Sequence, residues 1–170
     1  MKSAYRTLAG ILVLGLFVAG CGDSDEDSSS SGDSTSVVGT WTWARLTATG
    51  PGVPGGSMVI DPGLVASYGY GTVSASITFN DDNTFNVNGS LDGQPMSSSG
   101  TWSTFGNQLT ITISDPAISR AVTYAVSGNT LSITITGAQI TDAVEGAGYQ
   151  VPAEYSAILS GLSVKIDFTK

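Results

Sequence analysis

Residues 106–113 read GNQLTITI, and residues 128–135, which begin 22 positions later, read GNTLSITI. In both copies a Gly-Asn pair, which suits a tight turn, precedes a segment in which apolar and hydroxyl-bearing side chains alternate with a period of two. Such alternation is typical of a half-buried antiparallel β-strand that is apolar on one face and polar on the other. A step of 22 residues is one hairpin in length, so the two copies are predicted to run in the same direction with one strand between them.

The same alternation continues on both sides of this repeat, and turn-forming residues separate its segments. Asp, Asn and Gly tolerate the backbone angles of tight turns, and they punctuate the chain between the apolar segments. Eight strands are predicted, at about 37–48, 72–79, 84–91, 96–104, 108–114, 120–127, 130–136 and 162–169. Eight strands joined mostly by short turns favour an all-β fold, an antiparallel up-and-down β-barrel.

Two longer connections interrupt this regular pattern. Residues 49–71 are rich in glycine and proline and contain one short apolar stretch, Met58 to Ile60. A connection of this length in a compact domain is expected to act as a lid or to be mobile. Residues 137–161 predict a short helix that covers the end of the sheet before the last strand, because Pro152 suits a first helical turn and Gly161 suits a helix end.

The beginning of the chain has the three parts of a secretory signal. Lys2 and Arg6 supply positive charge, residues 8–19 are apolar, and Cys21 follows two small residues. The apolar segment is too short to cross a hydrocarbon core of about 30 Å as a helix. Residues 18–21 resemble the lipobox of bacterial lipoproteins, which implies cleavage before Cys21 and attachment of lipid, including acyl chains such as palmitate. Cys21 is the only cysteine, and lipidation accounts for an unpaired thiol in an exported chain.

A polar segment, residues 22–36, separates the signal from the first strand. It cannot bury enough apolar surface to offset the entropy of ordering, so it is predicted to be a disordered tether. The predicted organisation is therefore a signal peptide at 1–20, the lipidated cysteine and tether at 21–36, and the β-barrel at 37–170. Acidic residues in such a tether resemble the surface-export signals of some bacteria. Gly22 directly after the cysteine resembles outer-membrane sorting, so the expected location is the outer membrane, on its periplasmic or its surface side.

The charge of the chain excludes one class of partner. Six Lys and Arg residues stand against 14 Asp and Glu residues. Removal of residues 1–20 would leave four cations, Arg45, Arg120, Lys165 and Lys170, and a net charge of −10. Nucleic-acid binding needs a basic surface, so no nucleic-acid partner is expected. Attachment to the membrane is expected to come from the lipid on the cysteine, because two or more acyl chains hold a protein stably.

Several segments of the chain resemble the lipocalin-like families. Gly39-Thr40-Trp41 in the first strand, the eight-strand meander and the long first connection carry this resemblance. Residues 78–85 (TFNDDNTF) and 99–103 (SGTWS) are similar to segments of bacterial lipocalin-like domain lipoproteins. The resemblance implies a closed barrel, with Trp41 as a plug at one end and the first connection over the other. These families place an arginine against that tryptophan after the last strand, and this chain has only Lys170 there.

The sequence offers little for catalysis, so a non-enzymatic protein is expected. Histidine is absent, which excludes Ser-His-Asp and Cys-His mechanisms, and no nucleophile or phosphate-binding motif is present. Four acidic residues in the irregular segments, Asp61, Asp142, Glu145 and Glu154, could act as a glycosidase pair but are more simply surface charge. Residues 81–83 (Asp-Asp-Asn) could bind calcium but lack the usual ligand spacing and suit a turn. No catalytic residue, metal site or cofactor is predicted.

Aromatic residues give the only indication of a binding site. An eight-stranded barrel is just wide enough to be filled by side chains or to hold one small ligand. Tyr68 and Tyr70 in the first connection, with Tyr149 in the late insert, could line the mouth of such a barrel or merely cover the sheet. The sequence therefore favours a lipid-anchored envelope protein that binds a small apolar or amphipathic ligand. The alternative is a barrel filled by its own side chains that binds or inhibits another envelope protein.

Overall fold

The computed structural model describes residues 36–67, 69, 71–114, 117–146 and 150–170. The strands in this part of the chain are β1 (Gly39–Thr49), β2 (Ser57–Ile60), β3 (Val73–Phe79), β4 (Thr84–Leu91), β5 (Gln94–Phe105), β6 (Gln108–Ser114), β7 (Ala117–Ser127), β8 (Thr130–Thr136) and β9 (Ser163–Thr169). The helices are α1 (Pro62–Ser67), α2 (Gly137–Gly146) and α3 (Ala153–Ser160), and a 3-10 turn lies at Pro54–Gly56.

Eight of these strands close into a barrel. From β3 to β9 each strand pairs with the next in antiparallel fashion, and β1 pairs with both β3 and β9. The β1–β9 pairing, from Thr42 opposite Thr169 to Thr49 opposite Ser163, leaves no open edge between the first and last strands. The predicted fold class, an all-β antiparallel up-and-down barrel with a helical insert before the last strand, is confirmed.

The repeated sequence forms β6 and β8, and β7 lies between them. Leu109 of β6 pairs with Val122, and Tyr124 of β7 pairs with Ile133 of β8, so β6 and β8 run in the same direction as predicted. The two turn glycines have nearly identical backbone angles, with φ of 57° at Gly106 and 56° at Gly128. Most residues other than glycine and asparagine would be strained at these angles, which favours the glycine found at both turns.

The Asp-Asp-Asn segment forms the turn between β3 and β4. Asn83 has a φ of 62°, and one carboxylate oxygen of Asp82 accepts hydrogen bonds from the Thr84 amide at 3.0 Å and the Thr84 hydroxyl at 2.6 Å. These two hydrogen bonds lower the pKa of Asp82. The segment thus has the turn geometry that the sequence favoured.

A ninth strand, β2, differs from the sequence prediction, which placed it within a long connection. Only the first part of β1, Gly39 to Thr42, pairs with β3, and the second part, Leu46 to Thr49, pairs with β2. An unpaired strand edge leaves backbone N–H and C=O groups without hydrogen-bond partners. β2 supplies these partners along the part of β1 from which β3 has diverged. A bulge between Trp43 and Arg45 lets β1 follow both partners while its inward face is maintained.

The insert before β9 contains two helices, where the sequence predicted one. Ile140 and Ala143 of α2 are buried, and Ile140 packs in the core of the barrel. Pro152 is the residue before the first turn of α3, and Gly161 follows its last turn. No helix in the described ranges has the length and apolar character needed to cross a membrane.

The two ends of the barrel differ in how their strands are connected. The short β3–β4, β5–β6 and β7–β8 turns lie at one end, here called the closed end, together with the start of β1 and the end of β9. The β4–β5 hairpin, the end of β6 and the start of β7 lie at the other, here called the mouth, together with β2 and the three helices. The large connections that could regulate access to the interior are therefore all at the mouth.

Candidate functional site

Trp41 is fully buried near the closed end of the barrel. Its indole N–H donates a hydrogen bond of 2.6 Å to the carbonyl of Val37, four residues before it. The ammonium group of Lys170 lies 4.4 Å from the centroid of the Trp41 ring and donates a hydrogen bond of 3.2 Å to the carbonyl of Val38. Lys170 thus makes the cation–π contact for which the sequence offered no arginine.

Gly39 makes room for that lysine. Its φ is +125°, and a Cβ atom added to it would lie 3.0 Å from Cε of Lys170. The backbone angle favours glycine at this position, and the absence of a Cβ atom leaves space for the lysine side chain. In the Gly-Thr-Trp segment, the glycine therefore leaves space for the aliphatic part of the lysine side chain, and the tryptophan ring contacts its ammonium group.

Further aromatic side chains fill the closed end. Phe79 and Phe85 are buried, with ring centroids 6.3 Å apart, and the Trp102 ring packs edge-on against Phe79 at 5.6 Å. The indole N–H of Trp102 is shared between the carbonyls of Asn80 and Thr84, at 3.2 and 3.0 Å. A ligand site in this barrel would consequently lie on the mouth side of these rings.

Part of the inner wall toward the mouth remains accessible to solvent. Pairing in the sheet puts Ala75 opposite Gly89 and buried Ile77 opposite Val87, so these residues share the inward face. The inward-facing residues of β3, β4 and β5 that are only partly buried form what is called here the open wall: Ala75, Val87, Gly89, Leu91, Met96 and Ser98. The inward-facing residues of β8 and β9, by contrast, are buried throughout.

Arg120 faces the interior of the barrel from β7, on the side opposite β3. It pairs with the buried residue Ile111 of β6. Along β7 it lies on the same face of the strand as Val122 and Tyr124, which are also buried. Its Nε and Nη2 atoms are shielded from solvent, and the described residues provide no hydrogen-bond partner for either. Burial lowers the pKa of the guanidinium, while the negative charge of Asp142 on α2 opposes this shift. The group remains a cation, because arginine does not lose its proton in proteins.

The first connection and the late insert meet at the mouth. The backbone of Gly50 lies close to that of Gly161, and Gly52 approaches the side chain of Ile158 on α3. Val65 of α1 and Leu159 of α3 pack against the core. Both segments together cover part of the mouth, as a lid would.

Apolar side chains remain exposed on the outer part of this cover. Met58 and Val59 of β2 are 43% and 49% exposed, and Ile158 of α3 is 41% exposed. Met58 pairs with inward-facing Ala48, so its side chain extends from the rim of the barrel on the inner side. The mouth therefore has an apolar rim.

The residues predicted from sequence divide into described and undescribed positions. Trp41 lies in the closed end, and its role as a plug stays a prediction. Tyr68, Tyr70 and Tyr149 lie outside the described residues, as does Cys21, and their predicted roles also stay predictions.

Two of the acidic candidates interact with other groups in the part of the chain that is described. One oxygen of Asp61 accepts a hydrogen bond of 2.8 Å from the Leu64 amide, which is a cap for α1. The negative charge of Asp142 acts on Arg120 and favours the charged form of its guanidinium, which raises its pKa. Groups of three or more metal-ligating acidic, Cys or His side chains do not occur among the described residues.

Sequence reasoning missed Arg120 as a site residue and counted it only as one of four cations. The signal was present, because Arg120, Val122, Tyr124 and Val126 follow the period of two. A cation in the apolar phase of a strand is expected to face the interior. The influence of Asp142 on its pKa could not be predicted, since that residue belongs to a helix beyond the next strand.

Comparison with known proteins agrees with this architecture. No curated protein and no solved structure matches the chain significantly. The family model described as "Lipocalin-like domain" matches residues 37–133, which is more than half of the chain and covers β1 to most of β8. The chain therefore belongs to the lipocalin-like domain family.

Proposed function

We propose that this protein binds a small apolar or amphipathic ligand in the mouth half of its barrel and is not an enzyme. The open wall supports this proposal. In a barrel filled by its own side chains, inward-facing residues on all strands would be buried, yet those of β4 and β5 that belong to the open wall remain partly accessible. Apolar wall area that solvent can reach is the surface from which an apolar ligand gains free energy on binding.

The proposed location is the bacterial outer membrane, through lipid on Cys21. Support comes from the sequence of residues 1–21, with its positive flank, short apolar run and lipobox-like end. The ligand-binding domain would then need no membrane affinity of its own, because the acyl chains supply it.

Native mass spectrometry of the full chain, with detergent removed in the gas phase, tests ligand binding. The chain purified from its own host is expected to retain a small molecule, and the emptied chain is expected to bind dodecan-1-ol saturably. Ser98→Leu adds volume to the open wall and is expected to weaken binding by about tenfold or more, since it occupies the ligand's space. Ser99→Leu, one residue along and facing outward, is the matched control and is expected to bind as the wild type does.

Equal binding by the two variants would place the site elsewhere. If no amphiphile binds saturably, the barrel is better explained by the second candidate function, the binding or inhibition of another envelope protein. The apolar rim formed by Met58, Val59 and Ile158 favours that second candidate, because exposed apolar patches mark interaction sites.

Metabolic labelling with a fatty acid tests the anchor. The wild-type chain is expected to take up label, and Cys21→Ser is expected to take up none, because a serine hydroxyl cannot form the thioether. Absence of label on the wild type would refute the proposed anchor while leaving the barrel's ligand site unaffected.

A further inference from the structure

The sheet has one terminal strand, β2, and its outer edge is exposed. In the described part of the chain, β2 pairs only with β1, while the β1–β9 pairing closes the sheet on the other side. The hydrogen bonds that described residues make outside the sheet involve none of the backbone groups of Ser57–Ile60. Free N–H and C=O groups along such an edge form a template for pairing with another strand.

β2 lacks several features that prevent strand edges from pairing. Natural edge strands are often blunted by lysine, proline or a bulge, and Ser57–Ile60 contains no charged residue and no proline. Its pairing with β1 is regular over all four residues. Met58 and Val59 are exposed and lie on opposite faces of the strand, so both faces offer apolar surface next to the free edge.

The sequence of β2 is complementary to itself in one antiparallel register. Pairing with β1 places Met58 and Ile60 on the inner face and Val59 on the outer face. If a two-fold axis passes through the sheet at Val59, the Val59 side chains of two copies meet, and Met58 of each copy lies opposite Ile60 of the other. An axis at Met58 would put Ser57 opposite Val59. Apolar pairs thus favour the register centred on Val59.

The same register keeps the nearest negative charges of the two copies apart. Asp61 follows β2 directly, and it would lie opposite the uncharged Ser57 of the second copy. The two Asp61 carboxylates would then be offset by four residues, about 13 Å along the strands. This distance exceeds the screening length of about 8 Å at physiological ionic strength, so these carboxylates oppose the pairing little.

A second copy of the chain fits this edge better than the polar segment at residues 22–36. That segment contains no apolar side chain to cover Met58 and Val59, and it joins the barrel at the closed end, whereas β2 lies at the mouth. We propose that two copies pair through the outer edges of β2, in the register centred on Val59, and so join their sheets at the rims of their mouths. Only four residues pair on each side, so a weak dimer is expected, with a Kd on the order of 100 μM.

Cross-linking of a single thiol at the axis tests this pairing. Every variant is the full chain in detergent and carries Cys21→Ser, which removes the only native thiol. Val59→Cys places two thiols opposite each other, with Cα atoms about 4.5–5.5 Å apart, which is within the range of a disulfide. With copper phenanthroline as oxidant, it is expected to form disulfide dimers about tenfold faster or more than Ser99→Cys does, because pairing raises the local thiol concentration. Ser99 is also exposed but lies on the outer face of β5, away from the axis.

A charge at the axis tests the same pairing without a covalent bond. Val59→Lys brings two ammonium groups together, and like charges directly opposite each other in a sheet repel. Sedimentation velocity at concentrations around 100 μM is expected to show dimers for the Cys21→Ser chain and for Ser99→Lys, and monomers for Val59→Lys. Val59 is exposed, so the Tm of Val59→Lys is expected to match that of Ser99→Lys, which separates lost pairing from lost folding.

The outcomes separate self-pairing from its alternatives. Dimers that persist in Val59→Lys would form through another surface and would overturn this inference, as would equal rates of disulfide formation in Val59→Cys and Ser99→Cys. Oxidation of Val59→Cys in host cells that yields a cross-link to a different protein and no dimer would assign the edge to a partner strand and overturn it too. None of these results bears on ligand binding, which the open wall supports independently.

Discussion

Asp167 shows how one outward-facing residue secures the seam where the barrel closes. It is only 3% exposed, although it lies on the polar face of β9. Arg45 of β1 and Ser132 of β8 donate hydrogen bonds to its two oxygens at 2.8 and 2.7 Å, and the Lys165 ammonium lies 3.0 Å away. One carboxylate therefore connects three neighbouring strands, including both strands of the closing pair.

The charge state of Asp167 predicts a pH dependence of stability. Burial of the carboxylate is the largest single influence and raises its pKa, but the hydrogen bonds from Ser132, Arg45 and Lys165, with the charge of Lys165, together outweigh it. The pKa in the folded state is therefore below the ordinary value of 3.8. The group contributes stability above that value, and this contribution is lost as the pH falls through the lower, folded-state pKa.

Asp167→Asn tests this contribution. At pH 7 the free energy of unfolding is expected to fall by about 1–3 kcal/mol, because the charged hydrogen bonds are lost. The difference from wild type should shrink as the pH falls below 3.8, since the wild-type group becomes protonated there. Chemical denaturation at a series of pH values measures both effects, with Asp61→Asn as the control, because asparagine also caps a helix. A difference that is constant with pH would contradict this account.

The Lys170 contact with Trp41 gives a second prediction at the scale of residues. Lys170→Ala is expected to lower the free energy of unfolding by about 0.5–1 kcal/mol, as loss of an accessible cation–π contact does. Lys170→Arg retains a cation that can stack on the ring and is expected to restore most of it. Thermal denaturation followed by tryptophan fluorescence reports on both. If arginine were no better than alanine, the contact would contribute nothing through its charge.

At the scale of elements, two glycines have different roles in the strands and turns. A Cβ atom at Gly100 of β5 would overlap the carbonyl oxygen of Thr112 on β6 and lie 2.9 Å from Cε1 of Phe85 on β4. Gly106, in the turn between β5 and β6, has open space around its Cα and only its φ of +57° to restrict it. The close approach of neighbouring strands thus favours glycine at position 100, and the backbone angle favours glycine at position 106.

Substitutions at these positions are expected to separate the two causes. Gly100→Ala is expected to lower the free energy of unfolding by about 1–3 kcal/mol through overpacking. Gly106→Asn is expected to cost much less, since asparagine tolerates a positive φ. Urea denaturation of both variants measures the difference. A Gly100→Ala variant as stable as Gly106→Asn would show that the strands can separate at Gly100 at little cost.

The strands with clear alternation could be predicted from sequence, and the elements that depend on neighbours could not. Leu109, Ile111 and Ile113 repeat with an unambiguous period, and β6 has the bounds predicted for it. β2 is too short to show a period, and it exists because β3 leaves part of β1 unpaired. Asp167 lies on the polar face of β9, as the alternation of the sequence predicts, but side chains from two other strands bury it. Arg120 could have been predicted to face inward, but not its lack of a partner.

At the scale of the whole molecule, the core of the described structure lies between Val37 and Phe168. Val37 precedes the first strand, yet it is 3% exposed, and its carbonyl accepts the indole N–H of Trp41. The carbonyl of Val38 accepts the Lys170 ammonium. Two residues outside the sheet thus complete the closed end, and the boundary of the folding unit lies before them rather than at the start of β1.

Two shortened chains test this boundary. A chain of residues 36–170 is expected to fold alone, with a cooperative melt and a far-UV circular dichroism spectrum dominated by strand. A chain of residues 39–170 keeps every strand but loses the apolar burial of Val37 and the acceptor for Trp41, which together contribute about 2–4 kcal/mol. Its Tm is expected to be lower by on the order of 10 °C. Equal Tm values would show that Trp41 finds another partner and that the folding unit begins with β1. A helix-dominated spectrum for the longer chain would contradict the barrel itself.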